Sequence, residues 1–129
     1  MINRKTIGKI GETDTVAYLE KRDYRIIDTN VRPIGGRSRG EIDIIAWHGD
    51  YLVFIEVKTR TNYMIDGIKA VESVDLRKRR QLTKLSSAYI TRYKLYNVPC
   101  RFDVVEVYMR GTISPRINII ANAFSADDI

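Results

Sequence analysis

Two runs of strand-forming residues, Glu41 to Trp47 and Leu52 to Thr59, flank the tetrapeptide His48-Gly49-Asp50-Tyr51. A short connection of that composition returns the chain on itself as an antiparallel hairpin, and no other segment constrains the fold as tightly. If the turn centres on Gly49-Asp50, residues equidistant from it face each other. Asp43 then lies opposite Glu56, and Glu41 opposite Lys58. Alternation predicts all four side chains on one face of the sheet, together with Ile45 and Phe54, while Ile42, Ile44, Val53, Ile55 and Val57 cover the other. Direct partners would hold their Cβ atoms roughly 5 Å apart. Two carboxylates at that separation repel, which raises a pKa or calls for a cation between them. Mg²⁺ is the natural candidate, because hard divalent ions take carboxylate oxygens and keep positions for water or phosphate. The plainer alternative is a cross-strand Glu41–Lys58 ion pair with Asp43 solvated at the strand end.

Around this hairpin the chain reads as one unit. From about Ile7 to Arg22 the apolar spacing predicts a helix, Tyr24 to Asn30 a strand, and the stretch from Pro33 to Gly40 a glycine-rich basic loop. A long helix is predicted from near Val74 to Tyr96, ending before Pro99, then strands from Arg101 to Tyr108 and Arg116 to Ala121. The order α-β-β-β-α-β-β, with a helix between strands, predicts an α/β sandwich on a mixed central sheet, a single domain spanning residues 1–129. With 129 residues and 44% hydrophobic content, such a domain needs no disulfide. The lone Cys100 is expected to be a buried thiol.

Both helices aim an ionisable group inward. Glu12, Val16 and Leu19 share a helical face, so Glu12 points toward the sheet; Lys78 lies in line with Leu82, Leu85 and Tyr89 and does the same. A helix-terminal acid and a snorkelling lysine are the plainer alternatives. Arg77, Arg80 and Lys84 fall on the flank of the long helix. With Arg37 and Arg39 in the loop, Arg60 after the hairpin and a net charge of +6, they favour a polyanionic partner. Tyr89, Tyr93 and Tyr96 continue the core stripe and are expected to pack rather than stack on bases. His48 takes no role, and Asp103 and Glu106 are expected to face solvent. No apolar run suits a membrane span or a leader peptide, so a cytoplasmic protein without membrane attachment is expected.

The segments Gly40-Glu41-Ile42-Asp43-Ile44-Ile45-Ala46 and Val53-Phe54-Ile55-Glu56-Val57-Lys58-Thr59-Arg60 resemble the bacterial YraN family of predicted endonucleases, related to archaeal Holliday-junction resolvases. The resemblance extends through Gly11-Glu12, Tyr18-Leu19-Glu20, Asn30 with Arg32, Lys78 and Arg101-Phe102-Asp103-Val104-Val105 to Asn122-Ala123-Phe124. The chain departs from that pattern in a longer loop before Gly40, in Asp23 where a glycine is usual, and in lacking a proline after Gly67. The resemblance implies a restriction-endonuclease-like fold in which Asp43, Glu56 and Lys58 form a PD-(D/E)xK signature and Glu12 is an accessory acid.

On that reading Asp43, Glu56, Glu12 and the Val57 carbonyl hold Mg²⁺, which Mn²⁺ can replace, for hydrolysis of phosphodiester bonds in DNA, branched or junction DNA among them. Lys58 and Lys78 complete the catalytic group, and Arg37, Arg39, Arg60, Arg77, Arg80 and Lys84 hold flanking phosphates. A non-catalytic nucleic-acid-binding module and a structural partner in a DNA-processing assembly are the competing classes; a homodimer is left open.

Overall fold

In the computed structural model, residues 4–33, 40–60, 75–110 and 113–125 are described, with the side chains of 4–11, 60, 110 and 113–114 left aside. The elements follow the predicted order: α1 (Arg4–Glu20), β1 (Tyr24–Val31), β2 (Ile42–His48), β3 (Tyr51–Arg60), α2 (Leu76–Tyr93), β4 (Cys100–Arg110) and β5 (Ile113–Phe124). The strands form one sheet in the order β1-β2-β3-β4-β5. All neighbours are antiparallel except β3 and β4, which are parallel and separated in sequence by α2. A parallel pair needs such a crossover, and this one makes the sheet mixed. Among the described residues no helix is long and apolar enough to cross a membrane.

The sheet is apolar on both faces. One face buries Ile44, Ala46, Val53, Ile55, Val105 and Val107 with Leu19 of α1. The other buries Ile45, Leu52, Phe54, Phe102 and Val104 with Leu82, Leu85 and Tyr89 of α2. The helices therefore cover opposite faces, giving the predicted sandwich. α2 starts at Asp75, whose carboxylate accepts from the Lys78 N–H at 2.9 Å. It is capped by Lys94, in the left-handed conformation with φ 55°, so the helix ends at Tyr93, three residues short of the expected Tyr96. Tyr93 and Tyr96 are accordingly 50% and 63% exposed, and only Tyr89 packs in the core as expected.

Two polar residues expected to face solvent are buried instead. Asp103, 1% exposed, accepts two bonds from Arg101 (2.9 and 3.0 Å), one from the Tyr24 hydroxyl (2.8 Å) and one from the Asn122 N–H (2.9 Å). Arg101 also approaches His48 Nδ1 at 2.9 Å, and the imidazole stacks on Tyr24 with ring centroids 4.0 Å apart. Because a guanidinium only donates, Nδ1 accepts, and His48 belongs to a structural network. Burial, reinforced by Asp103, pushes the Tyr24 phenol up to about 12. Glu106, also buried, accepts from the Tyr108 hydroxyl and from Asn118 at 3.0 Å. Cys100 is exposed rather than buried, since it begins β4 two residues before Phe102, the first core side chain of that strand.

Asp23, in the turn after α1, has φ 68°. Glycine takes that conformation without a Cβ clash, which explains why the related pattern has glycine there. Asp23→Gly is expected to stabilise the fold by about 0.5–1 kcal/mol in denaturant unfolding. Asp103→Ala, which strips Arg101 of its counter-charge, is expected to cost about 3 kcal/mol in the same measurement.

Candidate functional site

The β2–β3 ladder has the register the turn predicts, from His48↔Tyr51 to Ile44↔Ile55. Beyond Ile44 the strands cease to pair in this way, and side-chain alternation breaks. Ile42 packs with Ile45 on the α2 face, whereas Ile44 lies on the α1 face. The expectation that Ile42 shares a face with Ile44 is thus corrected. At the break, Asp43 turns its carboxylate onto the backbone of β3, and Oδ2 accepts the Val57 N–H at 2.8 Å.

The four charged residues of the hairpin consequently divide rather than share one face. Glu41 and Asp43 gather with Glu12 of α1, one carboxylate oxygen of each lying within 4.8 Å of the others. Glu56 and Lys58 face α2: Glu56 Oε1 is 3.7 Å from Lys58 Nζ, and Oε2 is 3.7 Å from Lys78 Nζ. Glu41 pairs with the Arg32 guanidinium at 3.3 Å and not with Lys58. The inward aim predicted for Glu12 and Lys78 brings each to the hairpin, from opposite faces of the sheet.

Asp43, a member of the first group, is electrostatically coupled to Glu56 and Lys78 of the second. Burial first, then the charges of Glu56 and Glu12, push its carboxyl up to about 7, against the opposing effects of the Val57 N–H and Lys78. Burial also raises Glu56, although Lys78 and Lys58 pull it down. Glu56 Oε2 is buried and has no hydrogen-bond donor among the described residues. A cavity of about 140 Å³ opens beside the cluster, walled by Glu12, Thr29, Asn30 and Asp43 among others. The Glu12 and Asp43 carboxylates in its lining suit a hard divalent cation, whereas Glu56 lies outside that lining, its Oε2 3.7 Å from Lys78 Nζ.

Glu41 and Asn30 complete the cluster, although the sequence reading gave neither a ligand role. Asn30 adopts φ 51°, and with its amide nitrogen turned toward the acids it donates to Glu41 Oε1 and Glu12 Oε2, each at 3.2 Å. The spacing Asn30-x-Arg32 was the available signal, since both residues touch Glu41. Arg77, Arg80 and Lys84 are exposed on α2. Arg37 and Arg39 lie outside the described residues, as does the side chain of Arg60.

Fold and site together define a mixed-sheet α/β protein with carboxylates and lysines gathered where its central hairpin opens. A family model described as an uncharacterised protein family, UPF0102, matches residues 11–107, and the chain belongs to that family. Similar relatives include UPF0102 proteins of Clostridioides difficile, 41% identical over 95% of this chain and 100% of its own length, and of Geobacter sulfurreducens, 41% identical over 95% and 91%. A UPF0102 protein of Caldanaerobacter subterraneus is 36% identical over 95% of this chain and 98% of its own.

The raised Asp43 pKa has a signed consequence. An acid whose folded pKa exceeds its unfolded value of 3.8 stabilises the fold fully below that value, and this contribution is lost as pH rises through about 7. Without divalent metal, Asp43→Asn, which can still accept from Val57, is expected to melt above wild type at about pH 8. The gap should close toward about pH 4, as thermal unfolding at both pH values would show.

Proposed function

We propose that this chain is a metal-dependent endonuclease that hydrolyses phosphodiester bonds in DNA, with branched or junction DNA among its substrates. The observation that carries the reading is Asp43, clustered with the carboxylates of Glu12 and Glu41 and electrostatically coupled to Glu56, which is paired with Lys58 and Lys78. Carboxylates gathered this closely, with Asp43 pushed up by burial and by the charges of Glu56 and Glu12, are held together at an electrostatic cost that a cation would offset.

Asp43, Glu56 and Glu12, joined by Glu41 and the Val57 carbonyl, would hold Mg²⁺ or Mn²⁺. The ion, when bound, lowers the pKa of a coordinated water and offsets charge on the scissile phosphate. Lys58, held by Glu56, positions the attacking water and stabilises charge developing on the phosphate oxygens. Lys78, across Glu56 from Lys58, contacts the same phosphate. Arg77, Arg80 and Lys84 lead away along α2 and, with Arg37, Arg39 and Arg60, hold flanking phosphates without reading sequence.

The test is cleavage of branched, flapped and single-stranded DNA in Mg²⁺ or Mn²⁺. Asp43→Ala and Lys58→Ala are each expected to lose on the order of 10²-fold or more in rate. Equal rates in wild type and both variants would overturn the assignment.

A further inference from the structure

A second cleft, of about 200 Å³, lies between β1 and α2, bordered by Asp28, Asn30, Arg32, Tyr89, Arg92 and Tyr93. Thr29 and Asn30 line both this cleft and the acidic cavity, so the two spaces adjoin across the outermost strand of the sheet. Tyr93 leans on the buried Tyr89 with centroids 4.7 Å apart, and half of it remains exposed. It is therefore an aromatic surface braced from behind. Arg92 lies 5.5 Å from the Tyr93 ring centre, and Arg32 and Arg92 are both exposed. Asp28 adds an acceptor close to Tyr89, whose phenol is raised by burial and then by the Asp28 charge.

We infer that this cleft receives an unpaired base of the DNA strand whose phosphate the acidic cluster addresses, so that single-stranded or locally opened DNA is the preferred substrate. The inference rests on the nuclease reading for its choice of polymer and deepens it. The half-exposed Tyr93 ring, braced by Tyr89, stacks a base on the part that the Arg92 guanidinium over it leaves uncovered, and Arg92 and Arg32 complement the phosphates beside that base. Asp28, repelling phosphate, accepts instead from base N–H groups. Bases stacked within a duplex offer no free face to Tyr93, so intact duplex is excluded.

Fluorescence anisotropy with a labelled single-stranded oligodeoxynucleotide and its duplex, in the presence of a chelator, tests this without cleavage. Wild type should bind the single strand more tightly than the duplex. Tyr93→Ala should weaken that binding on the order of 10-fold, and Tyr93→Phe, which keeps the ring, should restore it. Tyr51→Ala, which removes a comparably exposed tyrosine at the other end of the hairpin, should bind as wild type does. Absence of single-strand binding, unchanged binding by Tyr93→Ala, or an equal loss in Tyr51→Ala would overturn the inference. Tyr93-dependent binding without cleavage in Mg²⁺ would sink the nuclease reading and leave the cleft standing. Asp43-dependent cleavage with normal Tyr93→Ala binding would do the reverse.

Discussion

The bond from the Val57 N–H to the Asp43 carboxylate holds the site in its present form. Where β2 and β3 stop pairing, a backbone donor of a central strand would be left without its ladder partner, and burying it unpaired costs about 1–3 kcal/mol. Asp43 supplies the acceptor from its side chain. The hairpin can therefore open at one end while its backbone stays satisfied. That opening lets Ile42 cross to the α2 face and brings Glu41 and Asp43 toward α1, while Glu56 and Lys58 keep to α2. One substitution of side chain for backbone converts a flat row of charges into a cluster with two sides.

The sandwich gives that cluster its supports. α1 covers one face and carries Glu12; α2 covers the other and carries Lys78 at its capped first turn. Each helix is anchored by apolar residues one or two turns away from its charged group, Leu19 for Glu12 and Leu82 and Leu85 for Lys78. The charged side chains are thus placed by burial elsewhere on the same helix, so Glu12 is held near Asp43 despite the repulsion between the two carboxylates.

Much of this could be read from residues alone. The turn chemistry of Gly49-Asp50 and the apolar runs around it determine the register from His48 to Ile55, and helical spacing identifies Glu12 and Lys78 as inward. What strict alternation could not reveal is the change of phase at Ile42, because the pattern of Ile42-Asp43-Ile44 is the same whether the strand continues or turns. Asn30 was obscure for a similar reason: its positive φ is a property of the folded strand and leaves no periodic trace. Asp103 and Glu106 resembled solvent-facing residues because a polar position in an alternating strand looks alike whether water or a buried partner satisfies it. Arg101, two residues before Asp103 and on the same face of β4, was the one local hint. Fold class was therefore easier to read than the arrangement within the site, which depends on a single local irregularity.

The two ends of the sheet treat negative charge in opposite ways. At the end bearing Tyr24 and His48, Asp103 receives four donors and its position is fully occupied by the protein itself. At the other, Glu56 keeps an oxygen without a donor among the described residues, and Asp43 is protonated or charged according to what surrounds it. A newcomer to the first end must break bonds before it can make any. One arriving at the second end meets an acceptor still open, so binding there need not disturb the fold around it.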